Sequence, residues 1–106
     1  MSKKILITGS TGFIGSNLVK RLASKGHHIV SLDNDFRGNK SRLQNISSNI
    51  ELNDFDIRDK EKLLEISKEC DYAIHLAYIN GTENFYSKPD EVLDVGIRGM
   101  LNIFDC

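Results

Sequence analysis

The chain has 106 residues, enough for one small domain, and its 40% hydrophobic and 27% charged residues are ordinary proportions for a globular protein. A net charge of -1 gives no electrostatic reason to expect nucleic acid or an anionic membrane as a partner. Short apolar runs, a start without a signal-peptide pattern and two widely separated cysteines predict a soluble cytoplasmic protein without a metal site.

The predicted elements alternate between strand and helix along the chain. Runs of apolar residues predict four strands, over residues 3–8, 28–33, 50–55 and 71–77. Helical spacing of apolar residues predicts three helices, over residues 12–25, over residues 59–69, and from Pro89 to the C-terminus. The polar stretch 34–49 predicts a loop. This alternation predicts a doubly wound parallel sheet in a three-layer α/β/α arrangement, with strand order 3-2-1-4.

Three evenly spaced glycines, Gly9, Gly12 and Gly15, lie between the first strand and the first helix. Glycine lets the backbone approach a ligand closely, and a helix start offers unpaired N–H groups and a partial positive charge to a phosphate. Asp33 ends the next strand, where a carboxylate can accept hydrogen bonds from ribose hydroxyls and would repel the 2′-phosphate of NADP. The pattern therefore predicts a dinucleotide site that prefers NAD.

Alternatives to this interpretation stay open at the level of the residues. The glycine pattern alone could be a structural turn, and Asp33 could simply end its strand in solvent. Arg37, in the following loop, could contact a 2′-phosphate and weaken the preference for NAD over NADP.

The stretch Thr8-Gly-Ser-Thr-Gly-Phe-Ile-Gly15 resembles the Thr-Gly-x-x-Gly-x-x-Gly turn of the extended short-chain dehydrogenase/reductase family. Within that family the chain is most similar to the NAD-dependent nucleotide-sugar epimerases and dehydratases. Four further stretches agree with it in order and spacing: Asp33-Asn34 with Gly38, Asp56-Ile57-Arg58-Asp59, His75-Leu76-Ala77, and Lys88-Pro89 with Gly99-Met100-Leu101-Asn102. The resemblance covers the whole chain and implies a Rossmann-like, partial NAD(P)-binding domain over residues 1–106.

The resemblance also implies which residues would contact the cofactor. Gly9, Gly12, Phe13 and Ile14 would surround the pyrophosphate, and Asp33 and Asn34 would hold the adenosine ribose. Asp56 and Ile57 would contact adenine, and Leu76, Ala77 and Tyr78 would line the approach to the nicotinamide ribose. Gly15 would allow the helix to pack closely against the strand. Asp56 would accept a hydrogen bond from the adenine amino group. Tyr78 stands where the family often has alanine, which implies a narrower pocket beside the nicotinamide ribose.

The catalytic residues of the resembled enzymes are missing from this sequence. In that family a Tyr-x-x-x-Lys pair transfers the proton, since the lysine lowers the pKa of the tyrosine. None of Tyr72, Tyr78 and Tyr86 is followed four residues later by lysine. His75 is expected to be a packed, hydrogen-bonded histidine. We therefore expect no catalytic residue and no substrate domain, so that the chain alone is inactive and a nucleotide sugar binds only to a full-length enzyme.

Other functions are compatible with the same residues. The chain could be a stand-alone NAD(P)-binding regulatory or sensor module without catalysis, or a remnant that neither folds well nor binds. The fourth strand is expected to be an open edge of the sheet. The last helix is apolar on nearly every side, and the resemblance implies a role in dimer contacts, so we expect self-association through this helix.

Overall fold

The computed structural model describes residues 2–10, 12–33, 49–77 and 87–105. Its strands are β1 (Lys4–Thr8), β2 (His28–Leu32), β3 (Ile50–Asn53) and β4 (Tyr72–His75), and its helices are α1 (Phe13–Ser24), α2 (Lys60–Ser67) and α3 (Pro89–Phe104). Every predicted strand and helix is present in the predicted order. Apart from Asn49, the predicted loop 34–49 lies outside the described residues.

The helix ends follow from local chemistry. Asp59 caps α2, where its side chain accepts a hydrogen bond from the backbone N–H of Lys62. Pro89 begins α3, and two acidic residues, Asp90 and Glu91, lie in its first turn, where they interact favourably with the helix dipole. Gly26 follows the end of α1 with φ of 89°, a left-handed conformation that glycine adopts without strain.

All strand pairs of the sheet are parallel, and the order is β3-β2-β1-β4. This confirms the predicted order 3-2-1-4. Thr8, the last residue of β1, pairs with Leu32 on β2 and with His75 on β4. The carboxyl ends of these three strands therefore lie side by side, with β1 in the middle. In doubly wound sheets ligands bind at such a point, where the strand order reverses.

The two faces of the sheet are covered by different helices. On one face α1 packs against alternate residues of β1 and β2, and the buried cluster there is Ile5, Ile7, Val19, Ala23 and Ile29. On the other face α2 and α3 pack against the intervening residues, and the buried cluster is Leu6, Val30, Leu32, Ile57, Leu63, Val92 and Val95. Burial on both faces explains the continuous Ile-Leu-Ile run of β1 and confirms the three-layer arrangement.

The fourth strand is more exposed than its apolar sequence predicts. Tyr72 is 58% exposed, and Ala73 is also exposed. Within the described residues β4 has β1 as its one neighbouring strand. In the described part of the chain, no helix has the length and apolar character required to cross a bilayer.

Candidate functional site

In the glycine turn between β1 and α1, neighbouring backbone atoms leave no room for a side chain at Gly9 or Gly15. Gly9 has φ of 72°, and a Cβ atom there would lie 2.8 Å from the carbonyl carbon of Leu76. A Cβ atom on Gly15 would overlap the carbonyl oxygen of Gly9. The turn is therefore packed backbone against backbone, between the first turn of α1 and the residue that follows β4.

The backbone amides of this turn divide into paired and unpaired groups. Gly9 donates to the carbonyl of Leu32 at 2.9 Å, and Gly12 donates to the carbonyl of Gly9 at 3.2 Å. Phe13 and Ile14 begin α1, and no described residue accepts a hydrogen bond from either amide. The two residues are 75% and 70% exposed. The N–H groups of Phe13 and Ile14 therefore have no acceptor among the described residues, while the amides of Gly9 and Gly12 form hydrogen bonds that give the turn its shape.

Ser10 is a polar residue of this turn that the sequence did not single out. Ser10 is 1% exposed, and its hydroxyl has no hydrogen-bond partner among the described residues. A buried hydroxyl without a partner costs about 1–3 kcal/mol. Its place between Gly9 and Gly12 fits a turn that contacts a polar ligand. Sequence patterns gave no signal, because Ser10 occupies one of the unspecified positions of the glycine motif.

The side chain of Thr8 joins the end of β1 to the residues after β4. Its hydroxyl oxygen accepts hydrogen bonds from the backbone amides of Leu76 and Ala77, at 3.0 and 3.1 Å. The same oxygen lies 2.7 Å from Nδ1 of His75. Both lone pairs of the hydroxyl are thus used, so its own proton is assigned to Nδ1 and the ring proton of His75 to Nε2.

His75 is partly buried and hydrogen-bonded to Thr8. It lies at the end of β4, and burial lowers its pKa from the ordinary value. A second ring proton would stand on Nδ1, facing a hydroxyl that already accepts two hydrogen bonds. The neutral ring therefore holds Thr8 in the orientation that ties down Leu76 and Ala77.

The acidic residue at the end of β2 lies beside the same turn. The amide of Asp33 donates to the carbonyl of Asn53 at 3.1 Å, and the preceding residue, Leu32, accepts the hydrogen bond from Gly9. Asp33 is partly exposed. Asn34, Arg37 and Tyr78, which the sequence also nominated, lie outside the described residues.

Asp56 lies in the turn between β3 and α2, where Arg58 engages it. Nη2 of Arg58 is 2.6 Å from Oδ2 of Asp56, and Nη1 is 2.7 Å from Oδ2 of Asp94 on α3. Glu91 lies 3.8 Å from the same guanidinium. Hydrogen bonds from Arg58 hold the pKa of Asp56 and that of Asp94 below the usual range, although burial acts in the opposite direction. Both carboxylates are consequently ionised at neutral pH.

Ile57, between Asp56 and Arg58 in the sequence, is held in place by contacts with α3. A Cβ atom on Gly99 would lie 2.8 Å from Cγ2 of Ile57, so the helix backbone contacts this side chain directly. The side-chain amide of Asn102 donates to the carbonyl of Ile57 at 3.0 Å. The sequence placed Gly99 and Asn102 in a shared motif without assigning them contacts; the structure shows that both hold the Asp56–Arg58 turn.

The nominated residues thus form two groups along one edge of the sheet. The turn Gly9–Gly15, Leu32–Asp33 and Leu76–Ala77 meet around the end of β1 through direct hydrogen bonds and close backbone packing. Asp56 and Ile57 form the second group, in the turn after β3, and α3 supports it. No group of three or more His, Cys, Asp or Glu side chains suited to a metal occurs in the described ranges.

A parallel sheet with order 3-2-1-4, whose first turn carries three evenly spaced glycines, defines a Rossmann-like domain. Comparison of sequences gives the family. A profile of the NAD dependent epimerase/dehydratase family matches residues 5–106, and the chain belongs to that family.

Relatives of known type share this part of their sequence. UDP-N-acetyl-alpha-D-glucosaminuronate decarboxylase of Bacillus cytotoxicus is 34% identical over 97% of this chain and 32% of its own length. UDP-glucose 4-epimerase of Neisseria meningitidis is 38% identical over 93% of this chain and 31% of its own length. The chain therefore spans about a third of the length of these relatives.

Solved structures of epimerases superpose on this chain over a similar share of their length. The epimerase Mth375 of Methanothermobacter thermautotrophicus superposes with a TM-score of 0.92 at 34% identity, covering 98% of this chain and 31% of that one. UDP-glucose 4-epimerase of Thermus thermophilus in complex with NAD superposes with a TM-score of 0.83 at 27% identity, covering 96% of this chain and 32% of that one.

The close packing of the glycine turn predicts that Gly15→Ala destabilises the fold. The added methyl group must displace the Gly9 carbonyl, which we expect to lower the free energy of unfolding by about 2 kcal/mol after the helix preference of alanine is included. Gly12→Ala is the control, because its Cβ atom would meet Gly9 only at 3.4 Å. We expect that control to lose less than about 1 kcal/mol in urea unfolding. Equal losses in the two variants would contradict the packing argument.

The burial of His75 predicts a dependence of stability on pH. The folded chain holds His75 with a pKa below the ordinary 6.5, so the unfolded chain binds more protons as the pH falls below 6.5. The contribution of His75 to stability is complete above that value and is lost as the pH falls through the folded pKa. Urea unfolding between about pH 5 and pH 8 measures it.

The matched control replaces an exposed histidine. His75→Gln should flatten the pH dependence, whereas His28→Gln, at an exposed position, should leave it unchanged. A wild-type slope that survives in His75→Gln would show that other groups cause it.

Proposed function

We propose that this chain is the NAD-binding portion of an enzyme that acts on a nucleotide sugar, of the epimerase or dehydratase type. The observation that carries the proposal is the glycine turn at the centre of the parallel sheet, whose Phe13 and Ile14 amides lack acceptors among the described residues. The relatives named above, a decarboxylase and epimerases of nucleotide sugars, support the substrate class.

Each part of the cofactor has residues suited to it. Phe13 and Ile14 would bind the pyrophosphate, and the buried Ser10 hydroxyl supports a polar ligand at this turn. Asp33 would accept hydrogen bonds from the hydroxyls of the adenosine ribose, and Asn34 would help to hold the same ribose. Asp56 and Ile57 would contact adenine.

The nicotinamide half of the cofactor would lie near the residues after β4. Leu76 and Ala77 are fixed by the Thr8 hydroxyl, and Tyr78 follows them in sequence. A bound NAD supplies hydride transfer at its nicotinamide ring. The chain's own residues would orient the ring's ribose and close one side of its pocket.

The same proposal makes the chain inactive by itself. A general acid–base pair of the Tyr-x-x-x-Lys type is absent from the sequence, and His75 is committed to Thr8. Turnover of a nucleotide sugar by the purified chain would contradict this part of the proposal.

NAD binding and its specificity give the direct test. In isothermal titration calorimetry we expect saturable binding of NAD, and binding of NADP weaker by about tenfold because Asp33 would repel the 2′-phosphate. Asp33→Asn should reduce that difference by weakening NAD and strengthening NADP. Asp54→Asn is the control, since it removes a carboxylate from an exposed position after β3. A folded chain that takes up neither dinucleotide would refute the proposal.

Self-association is the second expectation. One side of α3 carries large apolar residues that are exposed in the structure, namely Leu93, Ile97, Met100, Leu101 and Phe104. Their spacing of three and four residues makes a continuous stripe, and a second copy of the chain can cover it because a two-fold interface joins the same surface of both copies.

Sedimentation velocity over a range of concentrations tests this stripe. We expect wild type to form dimers or larger species, and Ile97→Glu to shift the distribution toward monomer by placing a charge at the centre of the stripe. Leu52→Glu changes an equally exposed apolar residue on β3 and should leave association intact. A wild-type chain that stays monomeric at micromolar concentration would contradict the expectation.

A further inference from the structure

The C-terminal half of α3 contacts the segment that leads from β3 into α2 at three successive positions. A Cβ atom on Gly99 would lie 2.8 Å from Cγ2 of Ile57, and the side-chain amide of Asn102 donates to the carbonyl of Ile57 at 3.0 Å. One turn further along, Oδ2 of Asp105 lies 2.8 Å from Nζ of Lys60, the first residue of α2. The three helix positions are three residues apart and therefore lie along one face of α3.

The other side of the same half of α3 is exposed. It carries the C-terminal part of the apolar stripe, namely Met100, Leu101 and Phe104. In the described residues the buried apolar side chains of α3, Val92 and Val95, lie in its N-terminal half, whereas the C-terminal half contributes the partly buried Ile103. Segments with few buried apolar contacts are among the parts of a fold that open most readily. The position of this half therefore depends on its contacts with Ile57 and Lys60.

Two binding events act on this one element. A ligand beside the turn after β3 favours the arrangement in which Asn102 holds the carbonyl of Ile57, because that bond fixes the backbone of the turn. A second copy of the chain favours the arrangement in which the stripe is continuous along α3. Both arrangements require the C-terminal half of the helix to be docked as in the structure. Whichever partner binds first therefore stabilises the state that the other prefers.

We propose that dinucleotide binding and self-association are linked through the C-terminal half of α3, so that each strengthens the other. Such a linkage is reciprocal: for each bound dinucleotide, the gain in association equals the gain in NAD affinity on association. This inference rests on the proposed function, since it requires NAD to bind beside the turn after β3 and the chain to self-associate through the stripe.

The first test measures association with and without the cofactor. In sedimentation velocity over a range of concentrations, we expect saturating NAD to lower the dissociation constant of the wild-type dimer about fivefold or more. Saturating ADP, which carries the adenine end alone, should produce a similar change, because that end lies beside the turn in the proposed function. Nicotinamide mononucleotide should leave the constant unchanged.

Two variants of α3 test the route of the linkage. Asn102→Ala removes the hydrogen bond to Ile57 and leaves the exposed stripe unchanged, so NAD should change its dimer constant by less than about twofold. Arg98→Gln is the matched control, because Arg98 is a polar residue of the same helix that is 71% exposed and pairs with Asp94 within α3. We expect Arg98→Gln to respond to NAD as the wild type does. Circular dichroism checks that both variants are folded.

The reciprocal test starts from the stripe and keeps the inference falsifiable if Asn102→Ala unfolds. Ile97→Glu changes an exposed residue on the outer side of α3. At a concentration at which the wild type is associated, we expect this variant to bind NAD about twofold to fivefold more weakly in calorimetric titration. Dilution of the wild type until it dissociates should cause the same loss of affinity.

The outcomes separate this inference from the function on which it rests. If NAD binds saturably but leaves the dimer constant unchanged, the linkage is overturned and the proposed cofactor site stands. Equal responses of wild type and Asn102→Ala to NAD overturn the route through α3. A wild-type chain that stays monomeric with saturating NAD also overturns the linkage. Failure of the folded chain to bind NAD at all overturns the proposed function itself.

Discussion

The contact on which the rest of the site depends is the backbone packing between the glycine turn and the residue after β4. Gly9 lies so close to Leu76 that no side chain fits between them, and Gly15 lies as close to Gly9. This packing fixes the start of α1 at the end of β1 and leaves the Phe13 and Ile14 amides without an acceptor among the described residues. The Thr8 hydroxyl stabilises the same junction by accepting hydrogen bonds from the backbone amides of Leu76 and Ala77, which follow β4. Backbone proximity and one hydroxyl group thus set the geometry of the turn, without a charged side chain.

The helix α3 supports the other half of the site and has two different surfaces. Its inner surface packs Val92 and Val95 into the core and holds the turn after β3 through Asp94, Gly99 and Asn102. Its outer surface is the exposed apolar stripe. The apolar residues of the helix therefore lie on two surfaces, and the packing of the described residues explains only the inner one.

Much of the architecture could be predicted because it depends on local patterns. The Ile-Leu-Ile run predicted a strand buried on both faces, and the glycine spacing predicted a tight strand-to-helix turn; both are confirmed. The limited burial of β4 could not be predicted from its composition, since exposure depends on how many neighbours a strand has. The link between Arg58 and Asp94 was equally inaccessible, because 36 positions separate them and no periodic pattern relates the two. Thr8 differs from other hydroxyl residues through the hydrogen-bond partners that the fold supplies, and Ser10 differs through its burial without a partner among the described residues.

The hydrogen bond between Thr8 and His75 joins residues 67 positions apart, and this separation has a consequence for folding. A contact between distant residues has to overcome the entropy of closing the loop between them, which slows its formation. The first strand and the glycine turn are near the N-terminus, yet the turn reaches its final shape only when β4 has docked beside β1. The glycine turn therefore precedes β4 in the sequence but depends on β4 for its native geometry.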